Sequence, residues 1–198
     1  MQPDLFGSQT LPSFSFIGDM CSGKTTYSNA LKSSIEREFF VKVLRPSISE
    51  EISKIAVDYF GMKGKDRRLL QEIGMKMDEI DDGVWAKKSV QKIRESGGPF
   101  IIDNIRTPAQ EGVFRSEFPG LITIKLEADE AQRFRKYKEL YGGYPTPQES
   151  SHVTEKGIHM LHYDIKIFND YAAGTIEPFV SGIVASIKDG SIKALLRG

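Results

Sequence analysis

The sequence predicts an α/β fold, a parallel five-stranded sheet with helices on both faces. Two patterns in the chain point to it. Short apolar runs alternate with longer amphipathic stretches, the spacing of βαβ units. Runs such as Phe14-Ser15-Phe16-Ile17 and Phe100-Ile101-Ile102-Asp103 are nearly continuous, as in strands buried on both faces. A glycine-bearing turn then carries the first run straight into the first helix.

Residues 1–12 are polar and proline-bearing, a flexible N-terminal arm, which leaves 13–198 as one domain. Strand one is expected at 13–18, followed by a helix over about 24–38. Phe39-Phe40-Val41-Lys42-Val43-Leu44 reads as strand two, ending before Pro46. Ser47 or Ser49 caps a helix through Tyr59, and Gly61 marks its end. Helices over about 65–77 and 82–96 follow, the second closed by Gly97-Gly98-Pro99. The strand at 100–103 comes next, and Leu121–Leu126 is another. A helix from about Asp129 to Leu140 leads into the loop Tyr141-Gly142-Gly143-Tyr144-Pro145-Thr146-Pro147. A helix over about 153–162, a last strand at 165–168 and a closing helix over about 176–187 complete the chain.

The bulk numbers restrict function only loosely. The 198 residues carry 27 basic and 27 acidic side chains, so no global field draws the chain to nucleic acid or a membrane surface. The one cysteine, Cys21, excludes an internal disulfide and suits a reducing compartment. The start Met-Gln-Pro-Asp lacks the charged and apolar regions of a signal peptide, and no run has the length of a membrane span. The expectation is a cytoplasmic protein (host cytoplasm if phage-encoded) with no membrane partner; monomer and homodimer both stay open.

The turn after strand one carries the chemistry. Gly18-Asp19-Met20-Cys21-Ser22-Gly23-Lys24-Thr25, followed by Thr26, is G-x-x-x-x-G-K-T behind a strand and ahead of a helix. That is the phosphate-binding P-loop in its required context, and it predicts a three-layer P-loop NTPase fold that binds ATP. The glycines let the backbone curl its N–H groups onto phosphate oxygens, and Lys24 reaches the β- and γ-phosphates. The Thr25 hydroxyl ligates Mg²⁺, and the helix start adds its positive dipole end.

The rest narrows the class. There is no Asn-Lys-x-Asp guanine signature, and the acidic strand ends in Asp103-Asn104 rather than the Asp-Glu of hydrolytic ATPases. Asp103, at a strand's carboxyl end, either holds the Mg²⁺ shell or takes the proton of an attacking group. Arg133-Phe134-Arg135 lies on the helix before the loop at 141–147, placed for a lid over about 129–160 whose guanidinium groups stabilise transferring phosphoryl charge. Two residues apart on a helix, Arg133 and Arg135 cannot both point the same way. His152, His159 and His162 have no cysteine nearby and read as packing or hinge residues rather than a zinc cluster.

In this order the motifs resemble the phage and bacterial deoxynucleoside monophosphate kinases, a branch of the P-loop nucleoside monophosphate kinases that is also similar to dephospho-CoA kinase. The stretches that carry the likeness are Gly18–Thr25, Arg67–Gly74 with Trp85, Asp103–Arg106 with Glu111, Arg133–Arg135, Ser151–Glu155 and Ile167–Asp170. The resemblance implies that the helices over about 47–96 face the acceptor nucleotide, through Arg67, Arg68 and Gln71. It implies a phosphate contact for Arg106 and an adenine position for Asn169. Trp85 either stacks on a base or fills the core. Three departures stand out: Asp103-Asn104-Ile105-Arg106 is one residue longer than the family's Asp-Val-Arg, Asp78 and Glu79 are acidic where an arginine is common, and Lys136 and Lys138 stand in for a third lid arginine. The acceptor is therefore expected to be a nucleoside monophosphate. The alternatives are a hydroxyl in DNA, such as 5-hydroxymethyluracil in a phage modification pathway, and a nucleotide switch with no acceptor.

Overall fold

The runs Ser13–Ile17 and Leu121–Glu127, rich in Phe, Ile and Leu and buried at nearly every position, form two strands in the middle of the molecule, where both faces must be covered. The computed structural model describes residues 11–64, 66–145 and 157–197. Its elements are β1 (Ser13–Ile17), α1 (Lys24–Phe39), α2 (Ile48–Phe60), α3 (Arg67–Ile80), α4 (Val84–Ser96), β2 (Ile101–Ile102), α5 (Pro108–Glu117), β3 (Leu121–Glu127), α6 (Glu130–Tyr141), β4 (Ile165–Phe168) and α7 (Ile176–Lys188). A 3₁₀ turn over Ser191–Arg197 follows. The strands pair in parallel in the order β2-β1-β3-β4.

Two buried clusters cover the sheet. On one face Phe14, Phe16, Ile122 and Ile124 pack with Leu31 and Ile35 of α1 and Val180 and Val184 of α7. On the other, Ile17, Ile102 and Leu121 pack with Ile48, Ile73, Trp85, Val90 and Phe114 from α2 to α5. Three layers result, and they hold the carboxyl ends of the strands fixed relative to α1.

The sheet has four strands among the described residues, not the expected five. The run at 39–44 is a strand only in its last residue, where Leu44 bridges Phe100 in parallel. The reason is local competition for the backbone. Helix α1 continues through Phe39, and Phe40 turns out of it with φ 56 and 91% exposure. The Val43 N–H is given to the Glu36 carboxylate at 3.0 Å, and Pro46 has none to give. Helix α5 and the 3₁₀ turn were not anticipated. Thr107 caps α5 by accepting from the Gln110 N–H, with Pro108 at the first helical position. The expected arm at 1–12 falls largely outside the described residues, as do the Ser151–Glu155 stretch and residues 153–156 of the helix expected at 153–162. Of that helix's described part, Gly157 and Ile158 are helical and the chain then turns, Met160 N–H donating to Gly157 O at 3.0 Å. No helix among the described residues is long and apolar enough to cross a membrane.

Candidate nucleotide site

The loop between β1 and α1 is built by two glycines that nothing else could replace. Gly18 has φ 143, and a Cβ there would lie 2.2 Å from the Leu126 carbonyl oxygen of β3. Gly23 has φ 102, and a Cβ there would lie 2.5 Å from Asn169 Nδ2. Between them the loop's carbonyls are tied to side chains. Lys24 Nζ donates to Gly18 O at 2.6 Å and Asp19 O at 2.7 Å. Arg133 Nη1 donates to Met20 O at 3.3 Å, and Asn169 Nδ2 to Ser22 O at 2.9 Å. The Tyr171 hydroxyl donates to Cys21 O. The first turn of α1, with its positive dipole end, opens onto a cleft of about 750 Å³ lined by Cys21 to Tyr27.

The carboxyl end of β2 supplies the other wall. Asp103 Oδ2 accepts from Thr25 Oγ1 at 3.0 Å and Ser28 Oγ at 3.5 Å, so the motif threonine and the strand-end carboxylate meet. A third donor reaches the same oxygen: Arg45 Nη2 stands 2.5 Å away, and its Nη1 donates to Asn29. Both side chains are largely covered, at 26% and 17% exposure. Arg45 was missed in the sequence, because its partner Asp103 lies 58 residues away and no local pattern marks it. Beside it, Asn104 Nδ2 donates to Ser47 Oγ at 3.3 Å. Asn104 Oδ1 is buried with no partner among the described residues. Arg106 follows at the start of the segment leading to α5, its N–H held by Gln110 Oε1 at 3.0 Å.

Helix α6 brings its two arginines to different places, as two-residue spacing requires. Arg133, 15% exposed, turns onto the loop, with Nη2 3.6 Å from the Asp19 carboxylate. Arg135 lines the cleft with Lys136 and Tyr141. Of the histidines, His159 lies 3.4 Å from Asp19 and His162 3.4 Å from Asp164, so they serve different elements; His152 lies outside the described residues.

The acceptor-side expectations are brought together less completely. Arg68 is on the surface of α3, paired with Glu72 at 3.0 Å, and Gln71 is exposed; Arg67 opens the same helix. Trp85 is 2% exposed and packs in the α2–α5 core, its indole N–H donating to Gly74 O at 3.4 Å. It therefore fills core rather than stacking on a ligand. Asn169 lines the cleft but is 4% exposed, with its amide spent on the loop and on the Tyr171 N–H. The acidic ground on α3 is electrostatically loaded: burial first, then Asp82 and Asp81, push the Asp78 carboxyl up to about 6.

A glycine-cornered loop of the P-loop pattern between β1 and α1, a threonine–carboxylate pair at its mouth and the three-layer sheet beneath it give this chain a P-loop fold of the kind found in kinases. Solved kinases share that architecture. A gluconokinase from Sinorhizobium meliloti 1021 aligns over 96% of this chain and 99% of its own, with 13% identity and a TM-score of 0.54. A sugar kinase from Janibacter sp. HTCC2649 aligns over 88% of this chain and 93% of its own, with 15% identity and a TM-score of 0.53. At these identities the likeness is one of fold. In sequence, 63 residues are 35% identical to a UPF0200 protein of Methanothermobacter thermautotrophicus, 31% of this chain and 33% of that protein. The chain thus spans about a third of the length of the curated relative it matches. No family model matches the sequence.

Proposed function

We propose that this protein is an ATP-dependent phosphotransferase that moves the γ-phosphoryl group of ATP to a nucleoside monophosphate, most simply a deoxynucleotide. The observation that carries the reading is the meeting of Thr25, Asp103 and Arg45 at one carboxylate oxygen beside the P-loop mouth. Hydroxyl and carboxylate oxygens in that position are hard ligands that fit Mg²⁺, which would neutralise charge on the transferring phosphates. Lys24 lies where it can hold the β,γ-oxygens, and Arg135 faces the cleft that would receive the nucleotide.

In the transfer, an acceptor oxygen bonds to the γ-phosphorus as the bond to the β,γ-bridging oxygen breaks, and ADP leaves with that electron pair. A phosphate acceptor arrives already deprotonated, so Asp103 need take no proton. Asp103 would then serve with Thr25 as a Mg²⁺ ligand, and an anion entering beside Asn104 and Arg106 would offer the Arg45 guanidinium a bidentate partner. A hydroxyl acceptor would instead hand its proton to Asp103. That second reading is favoured by the names of the structural neighbours, a gluconokinase and a sugar kinase.

Arg45 separates the two. If the acceptor is anionic, Arg45→Ala should raise the acceptor KM roughly 10- to 100-fold, the loss of a charge-assisted contact, and leave the KM for ATP within about threefold. Steady-state kinetics with each substrate varied in turn decide it. An unchanged acceptor KM would move the reading to a neutral, hydroxyl-bearing acceptor.

A further inference from the structure

All five carbonyls from Gly18 to Ser22 are held by side chains, and the last two are held by one short loop after β4. We propose that Asn169 and Tyr171 are positioning residues that set the shape of the phosphate-binding loop. Through it, Tyr171 acts on the phosphate end of a bound nucleotide rather than on its base. The proposal rests on the nucleotide-binding reading above and adds two residues to it that touch no reacting atom.

The geometry is interlocked. Asn169 Nδ2 fits against the loop only because Gly23 has no Cβ, and it donates to Ser22 O at 2.9 Å. The other end of the same amide, Oδ1, accepts the Tyr171 N–H at 3.0 Å. That contact accompanies a left-handed backbone at Tyr171, φ 59, a conformation that costs a non-glycine residue about 1 kcal/mol. Such strain persists where the surroundings over-determine it. Here the conformation carries the phenol back to Cys21, itself left-handed at φ 61, so that the hydroxyl donates to the Cys21 carbonyl. Burial pushes the phenol up to about 12, so the hydroxyl keeps its proton and stays a donor at neutral pH.

A peptide unit is planar and trans, so fixing a carbonyl fixes the N–H of the next residue on the opposite side. Holding Cys21 O and Ser22 O from the β4 side thus fixes the Ser22 and Gly23 N–H groups toward the inside of the loop. Ser22 N–H closes the loop's own turn onto Asp19 O at 3.2 Å. Gly23 N–H stands at the entry to α1, where a phosphate oxygen is received. Tyr171 also lines the cleft, so one side chain joins the wall of the nucleotide site to the orientation of the loop.

Tyr171→Phe keeps the ring and removes only the hydroxyl. The full-length variant and wild type are compared by calorimetric binding of adenosine, ADP and ATP, and by amide hydrogen exchange of residues 21–23 without nucleotide. The expected result is a Kd roughly 3- to 10-fold weaker for ADP and ATP, the loss of one hydrogen bond. Adenosine binding stays unchanged, and exchange in the loop speeds up. Adenosine and ATP weakened to the same degree would make Tyr171 an ordinary base contact and overturn the proposal, as would exchange at the wild-type rate. If wild type binds none of the three, the nucleotide reading fails by itself, and the exchange measurement alone still decides whether the hydroxyl holds the loop.

Discussion

Lys24→Ala is expected to lower turnover about 10³-fold or more while the thermal midpoint stays within a few degrees of wild type. The ammonium group spans Gly18 O and Asp19 O at 2.6 and 2.7 Å, and in the proposed reaction it is the charge that holds the β,γ-phosphates. Removing a preorganised charge from a transferring phosphoryl group costs on the order of 10²–10⁵ in rate. The loop itself survives, because Arg133, Tyr171 and Asn169 still hold its other carbonyls and the sheet beneath it is untouched. Turnover and thermal unfolding of the same preparation check the two halves of the claim. Near-wild-type turnover would remove the loop from the chemistry.

Asp103→Asn is the second large effect, and its signature is a split rather than a size. The substitution keeps volume and an oxygen that can accept from Thr25, but removes the charge facing Arg45 and the motif hydroxyl. A carboxylate that organises charge or takes a proton during transfer is worth roughly 10²–10⁴ in rate. The expected outcome is therefore a fall of that order in kcat, with ATP affinity within about threefold. Equal losses in kcat and ATP affinity would recast Asp103 as a group that merely holds α1 and Arg45 in place.

How far the sequence could be read followed the range of the interactions concerned. The phosphate loop was legible because its requirements are local: two glycines with positive φ, a lysine and a threonine at fixed offsets between a strand and a helix. Strands β1, β3 and β4 were equally plain as apolar runs. The expected strand at 39–44 was not, because whether an apolar run pairs depends on who takes its N–H groups, and Glu36 takes that of Val43. Helix α5 carried a readable start in Thr107-Pro108 but a weak apolar pattern. Trp85 at helical spacing suited core and ligand equally, and only its burial against Gly74 separates them. Arg45 and Tyr171 were silent for a different reason. Their partners lie 58 and 150 residues away, and nothing local marks either as part of the site.

Phosphoryl transfer from ATP to a nucleoside monophosphate can be measured in one assay. The protein is incubated with γ-labelled ATP and Mg²⁺ against each ribo- and deoxynucleoside monophosphate, gluconate, DNA with a free 5′ hydroxyl, and DNA carrying 5-hydroxymethyluracil. Label should appear in one or a few monophosphates, and the Lys24→Ala variant should give none of that transfer. Label moving only into DNA or gluconate, or ATP bound with no label moved into any acceptor, would contradict the proposed function.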